Sequence, residues 1–183
     1  MDYIMSLVLQ SSGGGQITIQ EPTTASNFTQ TLPAATGEVM VSGNQPAFSA
    51  YANAAQTITN GSFTQVSFQT EEFDTNNNFA SNTFTPTVAG YYQMTFNLKA
   101  QAATTLSRLI CSVYKNGATT GRQWDCDVDS GAAWFVNGSK LVYCNGTTDA
   151  ITLYVYMEGT GTLTVSSTDA NTSYFSGVLV RTA

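Results

Sequence analysis

The strongest constraint on this chain is the stretch from Phe79 to Lys99, FASNTFTPTVAGYYQMTFNLK. After Ala89-Gly90 the residues Tyr91, Tyr92, Met94, Phe96 and Leu98 follow at a spacing that sends every second side chain to one face. That period predicts a short strand, a tight corner and a long central strand. Pro86 precedes the corner, where no ladder donor is needed, and Gly90 is expected to supply backbone freedom at the corner itself. The aromatic and β-branched residues beyond it suit a pleated, half-buried surface.

The order Asn82-x-Phe84-x-Pro86-x-x-x-Gly90-Tyr91-Tyr92 resembles the C1q/TNF-like jelly-roll domain, and three further segments match in sequence order. Pro46 to Tyr51 resembles that family's first strand, Ile110 to Gly117 its strand ending in Lys-Asn-Gly, and Ser173 to Val180 its last strand. The resemblance spans residues 46 to 181. It implies an all-β antiparallel jelly-roll sandwich that assembles as a homotrimer about a three-fold axis.

Composition agrees with such a class. Only 10% of the 183 residues are charged, Thr, Ser, Asn and Gly are plentiful, and no long stretch has a helical period. Turn dipeptides of the kind hairpins use stand at Asn60-Gly61, Asn116-Gly117, Asn145-Gly146 and Gly159-Thr-Gly161. Strands are expected at 62–73, 84–85, 91–100, 108–114, 139–144, 150–157, 163–166 and 174–181, which amounts to two packed sheets.

A formal net charge of −6 repels phosphate backbones, and the six cationic residues, Lys99, Arg108, Lys115, Arg122, Lys140 and Arg181, are scattered. Nucleic acid is therefore not an expected partner. Cys111, Cys126 and Cys144 form an odd set without CxxC spacing, and the chain has no histidine, so a zinc site is not expected. One disulfide is compatible with the count, but Cys111 and Cys144 fall inside predicted strands and read as small buried hydrophobes. No cofactor is expected.

Met1 to Leu9 is apolar but too short to span a bilayer, and Asp2 stands where an export signal has basic residues. Membrane insertion is not expected, and the Asn-x-Ser/Thr triplets at Asn27, Asn60, Asn137, Asn145 and Asn171 read as chance in an Asn/Ser/Thr-rich chain. The run Ser11-Ser-Gly-Gly-Gly15 reads as a flexible joint behind this tip. Tyr3, Ile4, Met5, Leu7, Val8 and Leu9 are the candidate docking residues, to be covered by a particle subunit, a sister chain or the chain's own body. The plain alternative is an edge strand added to the domain itself.

Residues 16 to 43 include Ile17-Thr-Ile19, Pro22, Leu32-Pro33 and Val39-Met-Val41, a unit too small to hold its own core. The pattern T-I-x-x-P-x-T-A-S-N-x-T-x-T-L-P-x-x-T-G-x-V resembles a segment of bacteriophage tail-fibre and other virion proteins. The resemblance implies three intertwined parallel chains, with Ile17, Ile19, Leu32, Val39 and Val41 facing one another. The expected organisation is an arm and linker over 1–45 and a head over 46–183.

Gly121 to Gly138 carries both tryptophans. Trp124 and Trp134 either pack on each other under a long loop or sit exposed as a recognition surface for a host glycan or protein, with packing in the core or between subunits the simpler reading. Asp125, Asp127 and Asp129 alternate and would share one face of an extended segment, a weak Ca²⁺ candidate. The segment lacks an EF-type loop's glycine and bidentate glutamate, since Ser130 and Val136 stand there, so a solvated acidic face is the simpler reading. No GxSxG, HExxH or phosphate loop occurs, and Glu71 and Asp74 read as surface charges, so no catalytic residues are expected.

These readings converge on a homotrimeric virion protein, assembled in the host cytoplasm, that binds its own copies and a major capsid or other virion protein. It either decorates a capsid or forms a fibre tip that recognises a host surface glycan or protein.

Overall fold

The computed structural model describes residues 6–20, 29, 45–128, 133–167 and 172–183. The chain divides into two compact units, Met1–Glu38 and Val39–Ala183. The division falls inside the segment read as arm and linker, ahead of the boundary expected at residues 45 and 46.

In the first unit β1 (Ser6–Gln10) and β2 (Gln16–Gln20) pair antiparallel, in the register Leu7↔Ile19, Val8↔Thr18 and Leu9↔Ile17. The Ser11–Gly15 run is the turn of this hairpin, not a joint that separates the tip from the linker. It is closed by Ser11 N–H to Gly15 O at 2.8 Å and Gly14 N–H to Ser11 O at 3.1 Å. A Gly-rich run allows either outcome; the β-period on both sides of it selects the hairpin.

The second unit holds β3 (Ala47–Tyr51), β4 (Gln56–Ile58), β5 (Thr64–Gln65), β6 (Thr70–Asp74), β7 (Phe79–Ala80), β8 (Thr83–Phe84), β9 (Gly90–Ala102), β10 (Thr105–Lys115), β11 (Ala118–Thr119), β12 (Trp124–Asp127), β13 (Ala133–Cys144), β14 (Ile151–Thr160), β15 (Leu163–Val165) and β16 (Tyr174–Thr182). They form two sheets. One runs β4-β15-β9-β16-β3-β6, with β13 on the other side of β9. The second runs β11-β10-β14-β8-β7, with β12 beside β10 and β5 beside β14.

As its alternation predicts, β9 is the centre of the first sheet, flanked by β13 on one side and by β16 and β15 on the other. Tyr92, Met94, Phe96 and Leu98 turn inward and are fully buried. There they meet Leu109, Cys111 and Val113 of β10, Leu153 and Val155 of β14, and Phe48 of β3 in one core. Phe48 lies at ring-centroid distances of 4.8 Å from Phe79, 4.4 Å from Phe84 and 5.3 Å from Phe175, so one aromatic cluster joins the two sheets. Cys111 and Cys144 are buried thiols and Cys126 is half-buried, all three unbridged. Burial pushes the Cys144 thiol up to about 11.

Two sequence expectations require correction. Gly90 is needed for close approach rather than for a special dihedral: a Cβ there would lie 2.4 Å from the Arg181 carbonyl oxygen and 2.6 Å from Leu179 Cδ1. Of the four turn dipeptides, only Asn116-Gly117, both with positive φ, closes a hairpin, between β10 and β11. The other three carry the chain between the sheets, from β4 to β5, from β13 to β14 and from β14 to β15. Residues that favour positive φ suit both kinds of reversal, so the dipeptide marks a turn without fixing which sheet the chain enters next.

Candidate interaction surface

Alternation on the β13-containing sheet sends a second set of side chains away from the core. On β13 these are Phe135, Asn137, Ser139, Leu141 and Tyr143, opposite Lys99, Asn97, Thr95, Gln93 and Tyr91 of β9. On β16 they are Tyr174, Ser176, Val178 and Val180, the last at a bulge between Leu179 and Arg181. Leu141, on the edge strand β13, is 50% and Val180 60% exposed. Tyr91 and Tyr143 meet directly across the strands, with ring centroids 5.5 Å apart. Tyr91, Leu141, Val180, Arg181, Thr182 and Ala183 line an open depression of about 470 Å³.

The middle of the face is polar. Thr95 and Ser176 share a hydrogen bond of 2.6 Å, and Gln93 and Asn97 flank them. Phe135 stands further along, under Lys99 Nζ at 5.8 Å from its ring centroid. The face thus carries exposed apolar side chains at one end beside a polar middle.

Lys115 fixes the rim beside Tyr143. Its ammonium donates to the Tyr143 carbonyl at 2.6 Å, lies 5.4 Å from that ring's centroid and pairs with Asp149 at 2.8 Å. Asp149 also accepts from Asn116 Nδ2 at 2.7 Å and from the Asn145 backbone N–H at 2.8 Å. Desolvation pushes the Asp149 carboxyl up, but the Lys115 pair and these hydrogen bonds outweigh it and hold its pKa below the ordinary value.

The expected site residues fall in several places. Leu7 and Leu9, read as docking residues, share one face of the hairpin with Ile17 and Ile19, read as linker residues, and all four are exposed. Val8 is exposed on the other face. Tyr3, Ile4, Met5, Leu32, Val39 and Val41 lie outside the described residues. Trp124 and Trp134 stand on strands β12 and β13, not in a long loop. Trp124 packs against the core with its indole N–H buried and without a hydrogen-bond partner among the described residues, whereas Trp134 is 38% exposed.

Asp125 and Asp127 do share the outward face of β12, opposite Ile110 and Arg108, and Asp129 is outside the described residues. Asp125 is held by Arg122 and by Arg108, at 3.3 Å to the latter's Nε. Hydrogen bonding to Arg108 first, and the Arg122 pair with it, lowers the Asp125 pKa. These arginines occupy the carboxylate that a cation would need. Asp74 caps the turn after β6, accepting from the Phe79 N–H at 2.6 Å.

Sequence reasoning did not single out Phe135, Leu141, Tyr143, Val178 or Val180. The available signal was consecutive apolar residues at Tyr91-Tyr92, Leu141 to Cys144 and Val178 to Val180. Such runs leave apolar side chains on both faces of a strand, which a sheet with one solvated face does not require.

No family model and no curated protein matches the chain in sequence. In structure it is similar to the globular domain of zebrafish complement 1qA protein, with a TM-score of 0.50 at 17% identity over 75% of this chain and 99% of that one. It is also similar to murine APRIL, with a TM-score of 0.52 at 12% identity in crystals at pH 8.5, over 75% of this chain and 100% of that one. APRIL at pH 5.0 gives 0.52 at 11% identity with the same coverage. The sandwich has the C1q/TNF-like jelly-roll fold. The jelly roll is thus reached with few shared residues, through strand order and the alternation of its long strands.

Proposed function

We propose that the chain is a homotrimeric structural protein of a bacteriophage particle, a capsid decoration or head fibre that is anchored by its N-terminal arm and presents its jelly roll to solvent. The observation that carries the assembly is the uncovered apolar end of the β9, β13 and β16 face, where Tyr91, Leu141, Tyr143, Val178 and Val180 are exposed together. A closed ring of identical chains covers such a face with copies of itself and leaves no growing end. The anchoring role draws support from the Leu7, Leu9, Ile17 and Ile19 face of the hairpin and from the likeness of the following segment to tail-fibre and virion proteins.

A test combines light scattering of the full chain with electron microscopy of particles carrying a labelled copy. A trimeric mass and label at regular positions on the capsid are expected. A stable monomer at micromolar concentration overturns the assembly; label at the tail tip overturns decoration in favour of the fibre reading.

A further inference from the structure

The outward face of the other sheet has a different chemistry. Tyr114 of β10 and Tyr154 of β14 lie nearly parallel, with centroids 4.1 Å apart and planes at 27°. Beside them Phe63, just before β5, reaches Tyr156 at 5.2 Å and Tyr114 at 6.1 Å. All four rings share one side of the sheet, since Leu109, Cys111 and Val113 of β10 and Leu153, Val155 and Met157 of β14 take the core side. The three tyrosines are half-buried and Phe63 is 38% exposed. Among the described residues, Phe63 is the one large apolar side chain that this face exposes.

Polar groups border the rings. Ser112 stands on the same face, directly opposite Tyr154, and is 1% exposed with a hydroxyl that has no hydrogen-bond partner among the described residues. Along the strands beyond Ile110, Tyr156 donates its hydroxyl to Glu158, and Glu158 lies across from Arg108, itself bound to Asp125.

We propose that this face is a carbohydrate-binding platform that stacks the C–H face of a neutral sugar ring on the Tyr114, Tyr154, Tyr156 and Phe63 cluster, with Glu158 and Arg108 serving its hydroxyls. Electron-rich ring faces attract weakly positive C–H groups, and a few placed polar groups then fix orientation. Other occupants fit less well. The aliphatic side chains of a dry protein contact are on the opposite sheet, with Leu141, Val178 and Val180. Asp125, Asp127 and Glu158 on the same side, with the net charge of −6, oppose a stacked nucleotide and its phosphate. The nearly parallel packing of Tyr114 on Tyr154 leaves no slot between them for a quaternary ammonium group. The inference goes beyond the particle role and holds for the jelly roll whether or not the chain decorates a capsid.

The test is saturation-transfer NMR of the full chain against lactose, maltotriose, cellotriose and chitotriose at roughly 10 mM, a concentration that reveals millimolar contacts. Transfer to the ring C–H protons of at least one sugar is expected. Binding should weaken about tenfold in Tyr154→Ala and in Phe63→Ala, survive in Tyr154→Phe, and be unchanged in Trp134→Ser. Melting curves identify any variant that fails to fold, and Phe63→Ala, at the rim of the cluster, serves if Tyr154→Ala does. No transfer from any of the four sugars overturns the proposal, as does full binding by folded Tyr154→Ala and Phe63→Ala. Loss of the oligomer in folded Tyr154→Ala would assign the face to a protein contact and overturn it as well.

Discussion

The ring of Phe96 fills the space that a side chain at Gly138 would need. The two residues are paired across β9 and β13, and a Cβ on Gly138 would lie 2.6 Å from Phe96 Cζ and 2.9 Å from Cε1. Phe96→Ala should destabilise the jelly roll by about 3–5 kcal/mol, and Gly138→Ala should destabilise it by crowding the ring. The double variant should lose less than the sum, because removing the ring makes room for the methyl group. Denaturant melts of the four proteins measure the coupling; strict additivity would mean that the ring moves away freely. Thr95→Ala, on the opposite face, should cost far less than Phe96→Ala.

Assembly through the apolar end of the β13 face predicts that Leu141→Asp or Val180→Asp gives a folded monomer. Both side chains are exposed in the single chain, so the charge should not unfold it. Burying three unpaired carboxylates about an axis, by contrast, is prohibitive. Light scattering and circular dichroism check this; an unchanged trimeric mass would place the contact elsewhere.

The hairpin changes how the arm must be cut. Because β2 is the hydrogen-bonded partner of β1, removal of residues 1–15 strands an unpaired edge, whereas removal of 1–20 takes the whole hairpin. The shorter chain, lacking 1–20, should keep the wild-type melting temperature of the jelly roll and lose its place on particles. A jelly roll that melts markedly lower would show that the hairpin belongs to its stability instead.

Acid should loosen the rim beside Tyr143. The Asp149 pKa is held below its ordinary 3.8 in the folded chain. Its contribution is therefore fully present above that value and is lost as pH falls through the lower folded value. Stability compared at neutral pH and at successive points below pH 3.8 should fall more steeply for the wild type than for Asp149→Asn. Parallel curves would show that Lys115, Asn116 and Asn145 do not hold the carboxylate.

Much of the fold was legible because the apolar residues of β9 from Tyr92 to Leu98 keep a period of two, so the buried side of Met94 and Phe96 follows from spacing. The outer face of β13 was harder to read. Its first half, Ala133 to Gly138, contains a glycine and two adjacent aromatics, a composition as fitting for a loop as for a strand. Only pairing with β9, forty or so positions earlier in the chain, makes Gly138 a strand residue facing Phe96. The tyrosine cluster was hidden for a related reason. Phe63, Tyr114, Tyr154 and Tyr156 come from three separate strand regions, and nothing local to any of them announces the other two.

The sandwich places exposed aliphatic side chains on one sheet and the tyrosine cluster on the other, with a buried core between. A substitution at Tyr154 or Phe63 therefore need not disturb a contact made through Leu141 or Val180, and the two surfaces are free to diverge independently. In a closed ring of three, every assembly would present three identical platforms on rigid mounts. A sugar contact too weak to hold one copy would then gain about 10²–10⁴-fold in apparent strength on a glycan-dense surface, provided the spacing lets the copies engage together.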